Sequence, residues 1–255
     1  MKLENKVAVI TGGNSGIGFG IAEAFKAAGA KGAITGRNAE TLNQAIEQLG
    51  GDFIAIQGDV TNLDDLERTF RETFDKFGKI DVLVVNAGGA VDGASMGTIS
   101  DLQELDYDKY MDLNLKSAYF SVQKALPFMQ DGGSIVLIGS SAAHRAAPGM
   151  AVYAAAKAAV VSLAKGLSLD LMPRKIRVNV LSPGTIDTPV FNKIVPEEQV
   201  SFVKQLWVNQ IPAGRIGQPS DIGHAAVFLA SDESSFIVGS EILSDGGMTN
   251  MMMMN

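Results

Sequence analysis

Short apolar runs alternate with longer stretches of helical spacing from one end of this chain to the other. Lys6-Val-Ala-Val-Ile10, Gly32-Ala-Ile-Thr35, Phe53-Ile-Ala-Ile56, Asp81-Val-Leu-Val-Val85, Ser134-Ile-Val-Leu-Ile138, Ile176-Arg-Val-Asn-Val-Leu181 and Glu241-Ile-Leu-Ser244 read as strands. Between them the spacing predicts helices over 21–28, 40–49, about 62–77, about 101–129, about 152–171, 196–209 and 219–229. Gly29 closes the first helix, and Thr61 or Asn62 caps the third. Such alternation, without an internal repeat, predicts an α/β fold: a Rossmann-like, doubly wound, parallel seven-stranded sheet with helices on both faces. Most connections are short and none reads as a domain boundary, so residues 1–255 form one expected domain. Three stretches break the rhythm: a Gly/Ser/Asp-rich segment from Gly89 to Ser100, an irregular segment over about 185–218, and a Met-rich tail over 248–255.

Small or polar residues end strands one, four, five and six: Thr11-Gly12, Asn86-Ala87-Gly88, Gly139-Ser140 and Ser182-Pro183-Gly184. Ligands of open α/β sheets bind beyond these carboxyl ends, so one crevice should collect them. The first turn, Thr11-Gly-Gly-Asn-Ser-Gly16-Ile-Gly18, lies between a strand and a helix, the context a dinucleotide fingerprint needs. Gly12 permits a tight turn, Gly16 lets the backbone approach a pyrophosphate, and Gly18 lets the helix pack closely. Helix amides and the dipole would face the anion. The spacing is Gly-x-x-x-Gly-x-Gly and not the commoner Gly-x-Gly-x-x-Gly. Strand two ends at Thr35-Gly36-Arg37-Asn38, with no carboxylate for ribose hydroxyls and a guanidinium able to hold a 2′-phosphate. NADP(H) is therefore favoured, with NAD(H) as the alternative.

A second chemical pattern follows strand five, where Ser140 precedes Tyr153-Ala-Ala-Ala-Lys157 at the start of an alanine-rich helix. Tyr153 and Lys157 share a helix face, about 6 Å apart along the axis. An ammonium there would favour the ionised phenol. A phenol beside a fixed hydroxyl suits proton transfer to a carbonyl oxygen. Taken alone, a Tyr-x-x-x-Lys pair occurs in many helices.

Composition narrows the classes. Hydrophobic residues make up 46% of the 255 and charged residues 19%, as in ordinary globular proteins. A formal charge of −7 offers no basic footprint for nucleic acid or an anionic membrane. The absence of cysteine excludes disulfides and thiolate chemistry. His144 and His224, far apart, give no metal-ligand spacing, and no metal is expected. The start of the chain leads directly into a strand, without a signal-peptide pattern, and no uninterrupted apolar run suggests a membrane span. A cytoplasmic enzyme is the expectation.

Together these motifs, in this order, resemble the short-chain dehydrogenase/reductase family, of the single-domain kind, over essentially the whole chain. The resemblance implies that Tyr153 is the acid/base as hydride passes between C4 of the nicotinamide and a ketone or secondary alcohol. It implies that Lys157 lowers the Tyr153 pKa and holds the nicotinamide ribose, that Ser140 binds the substrate oxygen, and that Asn114 positions relay water. Cofactor contacts carried over by resemblance are Gly12, Asn14, Ser15, Gly16, Ile17, Gly18, Arg37, Asp59, Val60, Asn86, Ala87, Gly88, Tyr153, Lys157, Pro183, Gly184, Ile186 and Thr188. Asp245-Gly246-Gly247 matches a carboxyl-terminal signature. Val85 and Val238 depart from common family residues, and Ser15 stands where many NADP-selective relatives carry a basic one. The activity implied is of carbonyl reductase or alcohol dehydrogenase type on a small-molecule substrate. A catalytically silent dinucleotide sensor and a scaffold are the other readings. A homotetramer is implied, paired through the helices from Asp101 and Val152. The segment 185–218, with Val190, Phe191, Ile194, Val195, Phe202, Leu206 and Trp207, reads as a substrate lid or as residues packed among themselves. His144 reads equally as facing substrate or as a surface residue, and the tail as interface packing or a frayed terminus.

Overall fold

The strands assemble into one parallel sheet in the order β3-β2-β1-β4-β5-β6-β7. The structure is a computed structural model describing residues 1–94, 96–189, 191 and 196–251. The strands are β1 (Val7–Thr11), β2 (Lys31–Gly36), β3 (Phe53–Gln57), β4 (Ile80–Val85), β5 (Met129–Ile138), β6 (Arg177–Pro183) and β7 (Glu241–Ser244). The helices are α1 (Gly16–Ala27), α2 (Ala39–Leu49), α3 (Leu63–Phe77), α4 (Glu104–Met111), α5 (Ser117–Ala125), α6 (Ala151–Leu171), α7 (Glu197–Val208) and α8 (Pro219–Ala230).

Strand residues alternate between two cores with the period of the pleat. Ala8 and Ile10 of β1, and Val82 and Val84 of β4, face one layer with Ile21 and Phe25 of α1, Leu42 of α2 and Ile222 of α8. Val7, Val9, Leu83 and Val85 face the other with Leu66 and Phe70 of α3, Val122 of α5 and Val160 and Ala164 of α6. Burial on both faces explains the nearly continuous apolar runs. Val85, a departure from the family pattern, is a core residue only 4% exposed. Helices α1 and α8 touch almost backbone to backbone: a Cβ on Gly223 would fall 2.6 Å from the Gly20 carbonyl oxygen. That contact brings the glycine turn and the chain after β6 together.

Three expected boundaries moved. Helix α1 begins at Gly16, inside the glycine turn, five residues before the expected start at Ile21. The helix expected over 101–129 is α4 and α5, separated by one wide π-helical stretch, Asp112–Lys116. Its cause is Asn114, whose side chain binds the Tyr110 carbonyl at 3.1 Å and so competes with the helical ladder. The helix then stops before Pro127, and β5 starts at Met129, earlier than Ser134. Its pairing with β4 shifts between Ile80↔Met129 and Val82↔Ser134, absorbing the Gly132-Gly133 pair.

Within 185–218, α7 lies close to the expected helix. Phe191, Ile211 and Ile216 form a small separate core, with Trp207 and Met248 packed against it. Phe202 and Leu206 are exposed. The expected lid residues thus divide between self-packing and solvent, while Val190, Ile194 and Val195 lie outside the described residues. In the tail, Met248 joins the small core and Thr249 donates its backbone N–H to Asp245 at 2.8 Å, while residues 252–255 lie outside the described residues. Among the described residues one helical stretch, Ala151–Arg174, is long and apolar enough to cross a membrane by length and composition. It holds Val160, Ala164 and Leu171 against the sheet, the placement of a core helix.

Candidate active site

The crevice begins where the strand order reverses, between β1 and β4, the topological switch point of such sheets. Thr11 ends β1, and its buried hydroxyl accepts the N–H groups of Asn86 and Ala87 at 3.0 and 3.1 Å. The Asn86 amide returns two bonds, to the Thr11 and Gly12 carbonyls at 2.9 and 3.1 Å. Both amide hydrogens of Asn86 therefore hold the turn. Gly12, at φ +65°, and Gly16, at φ +53°, adopt conformations that favour glycine. A Cβ on Gly18 would meet the Gly12 carbonyl oxygen at 2.1 Å, so Gly18 packs the helix on the turn itself.

The helix that follows is open at its positive end. Ser15 is the N-cap of α1 but makes no capping bond through its side chain, and the first turn holds no acid. Helices α2 and α3 differ: Asn38 and Asn62 cap them, and acidic residues fill their first turns. Uncapped amides, a dipole without a neutralising carboxylate and a glycine cradle fit a dinucleotide pyrophosphate.

The surrounding residues take definite places. Asn14 donates to the Thr41 hydroxyl at 2.7 Å and lies against Gly36, where a Cβ would come within 2.4 Å of its Oδ1. Arg37 is exposed at the end of β2 and pairs with Asp92 at 2.8 Å. Sequence reading missed this partner because Asp92 lies in the segment after β4, far away in the chain. The Asp59 carboxylate accepts from the N–H and hydroxyl of Thr61, at 2.9 and 2.8 Å, in a local turn ahead of α3. Val60 is buried, and Ile17 packs against the core. Across the crevice Pro183 ends β6, Gly184 donates to the Ser244 carbonyl at 3.1 Å, and Ile186 bridges Gly217. Thr188 closes on the turn, since a Cβ on Gly16 would lie 3.2 Å from its methyl carbon.

Tyr153 and Lys157 sit in the first turns of α6, opposite the end of β5. Lys157 is 3% exposed and donates to the Ile138 carbonyl at 2.9 Å, with Nζ 5.9 Å from the Tyr153 ring centre. Burial pushes its pKa down to about 8. Burial also raises the Tyr153 pKa above the ordinary tyrosine value, while the adjacent Ser140 hydroxyl opposes the shift. The expected lowering of the phenol by Lys157 is thus reversed in the protein alone. Desolvation of the phenolate dominates, and burial lowers the pKa of the lysine as well. Ser140 begins a short 3₁₀ turn and accepts the Ala142 N–H at 3.1 Å. Asn114, 2% exposed, exchanges two bonds with Gly89, at 2.7 and 3.1 Å. A Cβ on Gly88 would fall 3.1 Å from Asn114 Oδ1 and 3.2 Å from Lys157 Nζ, so these side chains flank Gly88. The geometry brings Ser140, Tyr153, Lys157 and Asn114 to one end of the sheet.

His144 is held by a residue that no motif marked. Its Nε2 lies 2.9 Å from both carboxylate oxygens of Glu241 on β7, and Ser182 donates to Glu241 at 2.6 Å. The detectable signal was an acid opening a strand otherwise without charge.

This geometry is that of a nicotinamide-dependent oxidoreductase. The family described as enoyl-(acyl carrier protein) reductase matches residues 12–249. The chain is 40% identical over 252 residues to oxidoreductase asL5 of Sarocladium schorii, covering 98% of each. It is 37% identical to the 3-oxoacyl-[acyl-carrier-protein] reductase FabG of Thermotoga maritima, covering 97% of this chain and 99% of that one. A short-chain dehydrogenase/reductase from Serratia marcescens superposes with a TM-score of 0.88 at 33% identity, over 98% of this chain and 100% of that one. The chain belongs to the short-chain dehydrogenase/reductase family.

The buried lysine has a measurable consequence. Between about pH 8 and the ordinary value of 10.5, the unfolded chain holds a proton that folded Lys157 has released. Stability should therefore rise with pH across this window, and Lys157→Met should flatten the rise. Tyr153 acts oppositely but only above its ordinary value of 10. Urea midpoints measured at several pH values from about 7.5 to about 9.5 check this; equal slopes for both proteins would contradict it.

Proposed function

We propose that the protein reduces a ketone to a secondary alcohol, and runs the reverse oxidation, with Tyr153 as proton donor and acceptor. The observation that carries this reading is the convergence of Ser140, Tyr153 and buried Lys157 at the carboxyl end of β5, across the crevice from the open end of α1. A nicotinamide dinucleotide bound along α1 supplies hydride for reduction and takes it back for oxidation. The chain does the rest. The first-turn amides of α1 hold the pyrophosphate, with Gly12, Gly16 and Gly18 giving the close approach, and Asp59, Val60, Ala87 and Gly88 line the adenosine side. Pro183, Gly184, Ile186 and Thr188 wall the nicotinamide side. Ser140 holds the substrate oxygen, and Tyr153, kept protonated by burial, gives that oxygen its proton. Lys157, with a pKa of about 8, is poised to pass a proton back to the phenol. Asn114 fixes Gly89 and the loop beside Lys157. The name of the Thermotoga relative puts a 3-oxoacyl chain among the candidate substrates.

Tyr153→Phe should lower turnover at least about 10²-fold while leaving cofactor affinity nearly unchanged, because only the transferable proton is removed. Steady-state rates across a ketone panel, with NADPH binding followed by fluorescence, make the comparison. Full activity of the Phe variant on every accepted ketone would end the assignment.

NADP(H) is the preferred cofactor in this reading. The support is Arg37 with no carboxylate at Gly36, set against Asp92, which competes for the guanidinium. An exposed pair of this kind contributes about 0–1 kcal/mol, less than the ~1.5–3 kcal/mol of charged hydrogen bonds to a phosphate. Arg37→Ala should cost NADPH about 10- to 150-fold in kcat/KM and leave NADH little affected, whereas Asp92→Asn should favour NADPH further. An equal or higher wild-type kcat/KM with NADH would refute the preference. Installing an acid at position 36 is a poorer test, since its Cβ would press on Asn14.

Assembly as a homotetramer is supported by α6, whose outer face exposes Ala155, Ala158, Ser162, Gly166 and Leu169. Small residues there admit a second helix closely, and Leu169 is 74% exposed. Light scattering at micromolar concentration should give four copies, and Ala158→Arg should lower the mass. A monomer mass for the wild type would rule the assembly out.

A further inference from the structure

Beside Tyr153 lies a second phenol that no motif marks. Tyr110, the buried residue of α4, is 2% exposed, and its ring lines the same cavity as Tyr153. Its carbonyl is taken by Asn114, but its hydroxyl makes no hydrogen bond among the described residues. Nor is that hydroxyl among the sealed polar atoms without partners, which are Thr35 Oγ1, Ser121 Oγ and Thr249 Oγ1. It therefore opens onto the cavity. The remaining walls come from Met96, Leu102 and Val152, with Gly97 and Gly149, and present no side-chain donor or acceptor of comparable strength. Tyr110 also contributes to the upward shift of the Tyr153 pKa, as expected when two phenols lie near each other. A phenol this deeply buried ordinarily finds a partner. Here the small recess in front of it also borders Tyr153, the proton donor of the proposed reaction.

We propose that Tyr110 is a specificity-determining residue that donates a hydrogen bond to a second oxygen of the substrate, selecting ketones that carry an acceptor a few bonds from the carbonyl. The inference rests on the ketone-reductase reading of the site. The recess in front of the phenol has room for about one water-sized group, which is the size of a single substrate oxygen. An all-carbon substituent of the same shape fits but leaves the Tyr110 hydroxyl unpaired, and a site built to hydrogen-bond an oxygen discriminates against analogues that lack it.

Methoxyacetone and 2-pentanone test this directly, since they differ by an ether oxygen in place of one methylene. The kcat/KM ratio for the pair is measured with NADPH for the wild type and for Tyr110→Phe, which removes only the hydroxyl. Intrinsic reactivity cancels when the two ratios are compared. The Phe variant should reduce the preference for methoxyacetone by about two- to tenfold, the effect of one neutral hydrogen bond. Equal losses on both ketones, or no loss, would overturn the proposal. Should the variant fold poorly, a crystal structure of the wild type with cofactor and methoxyacetone decides. Tyr110 Oη within hydrogen-bond distance of the ether oxygen is expected, and an ether turned away overturns the idea. Failure of the underlying reading looks different: the wild type then oxidises NADPH with no ketone, and both conclusions fall.

Discussion

The joint between β1 and β4 is the constraint on which the rest depends. At that point the strand order reverses and the chain leaves the sheet in opposite directions, which opens a crevice. Thr11 and Asn86 close the joint with four hydrogen bonds at 2.9–3.1 Å. Gly12 and Gly18 permit the turn to fold back on α1 without a side chain between them. A larger residue at either position would move the helix end away from the crevice. The uncapped amides of α1 would then point at nothing.

Burial sets the chemistry on the other side. The polar groups opposite α1 are held in places where charge is costly, so Lys157 is moved toward neutrality and Tyr153 toward its protonated form. With its pKa lowered only to about 8, Lys157 stays largely protonated near neutral pH and can return a proton to the phenolate that reaction leaves on Tyr153. The π-helical stretch at Asn114 belongs to the same arrangement. There the Asn114 side chain bonds both its own helix, at the Tyr110 carbonyl, and the Gly89 backbone, so the loop after β4 is fixed to this helix. Glu241 ties His144 and Ser182 together, anchoring the turn after Ser140 to β7.

Much of this was legible in the linear chain. Strand runs, helix faces, the glycine turn and the Tyr153–Lys157 spacing depend on neighbours within a few residues, and local sequence carries them. The nearly continuous apolar runs predicted buried strands in a parallel sheet, because a polar residue on either face would lie in a core. Order along the chain, with right-handed crossovers, then led to the doubly wound sheet and to the crevice at its carboxyl ends.

What the sequence by itself determined was therefore the list of elements, their topology and the identities of the groups gathered at one end. Only the tertiary structure decided what those groups do to one another. The reversal of the Tyr153 shift, the engagement of Asn86 with the turn, the Arg37–Asp92 pair and the placement of Tyr110 over the cavity each depend on residues distant in sequence. Desolvation and hydrogen-bond satisfaction are set by everything that surrounds a group in space, and distances along the chain do not encode that enclosure.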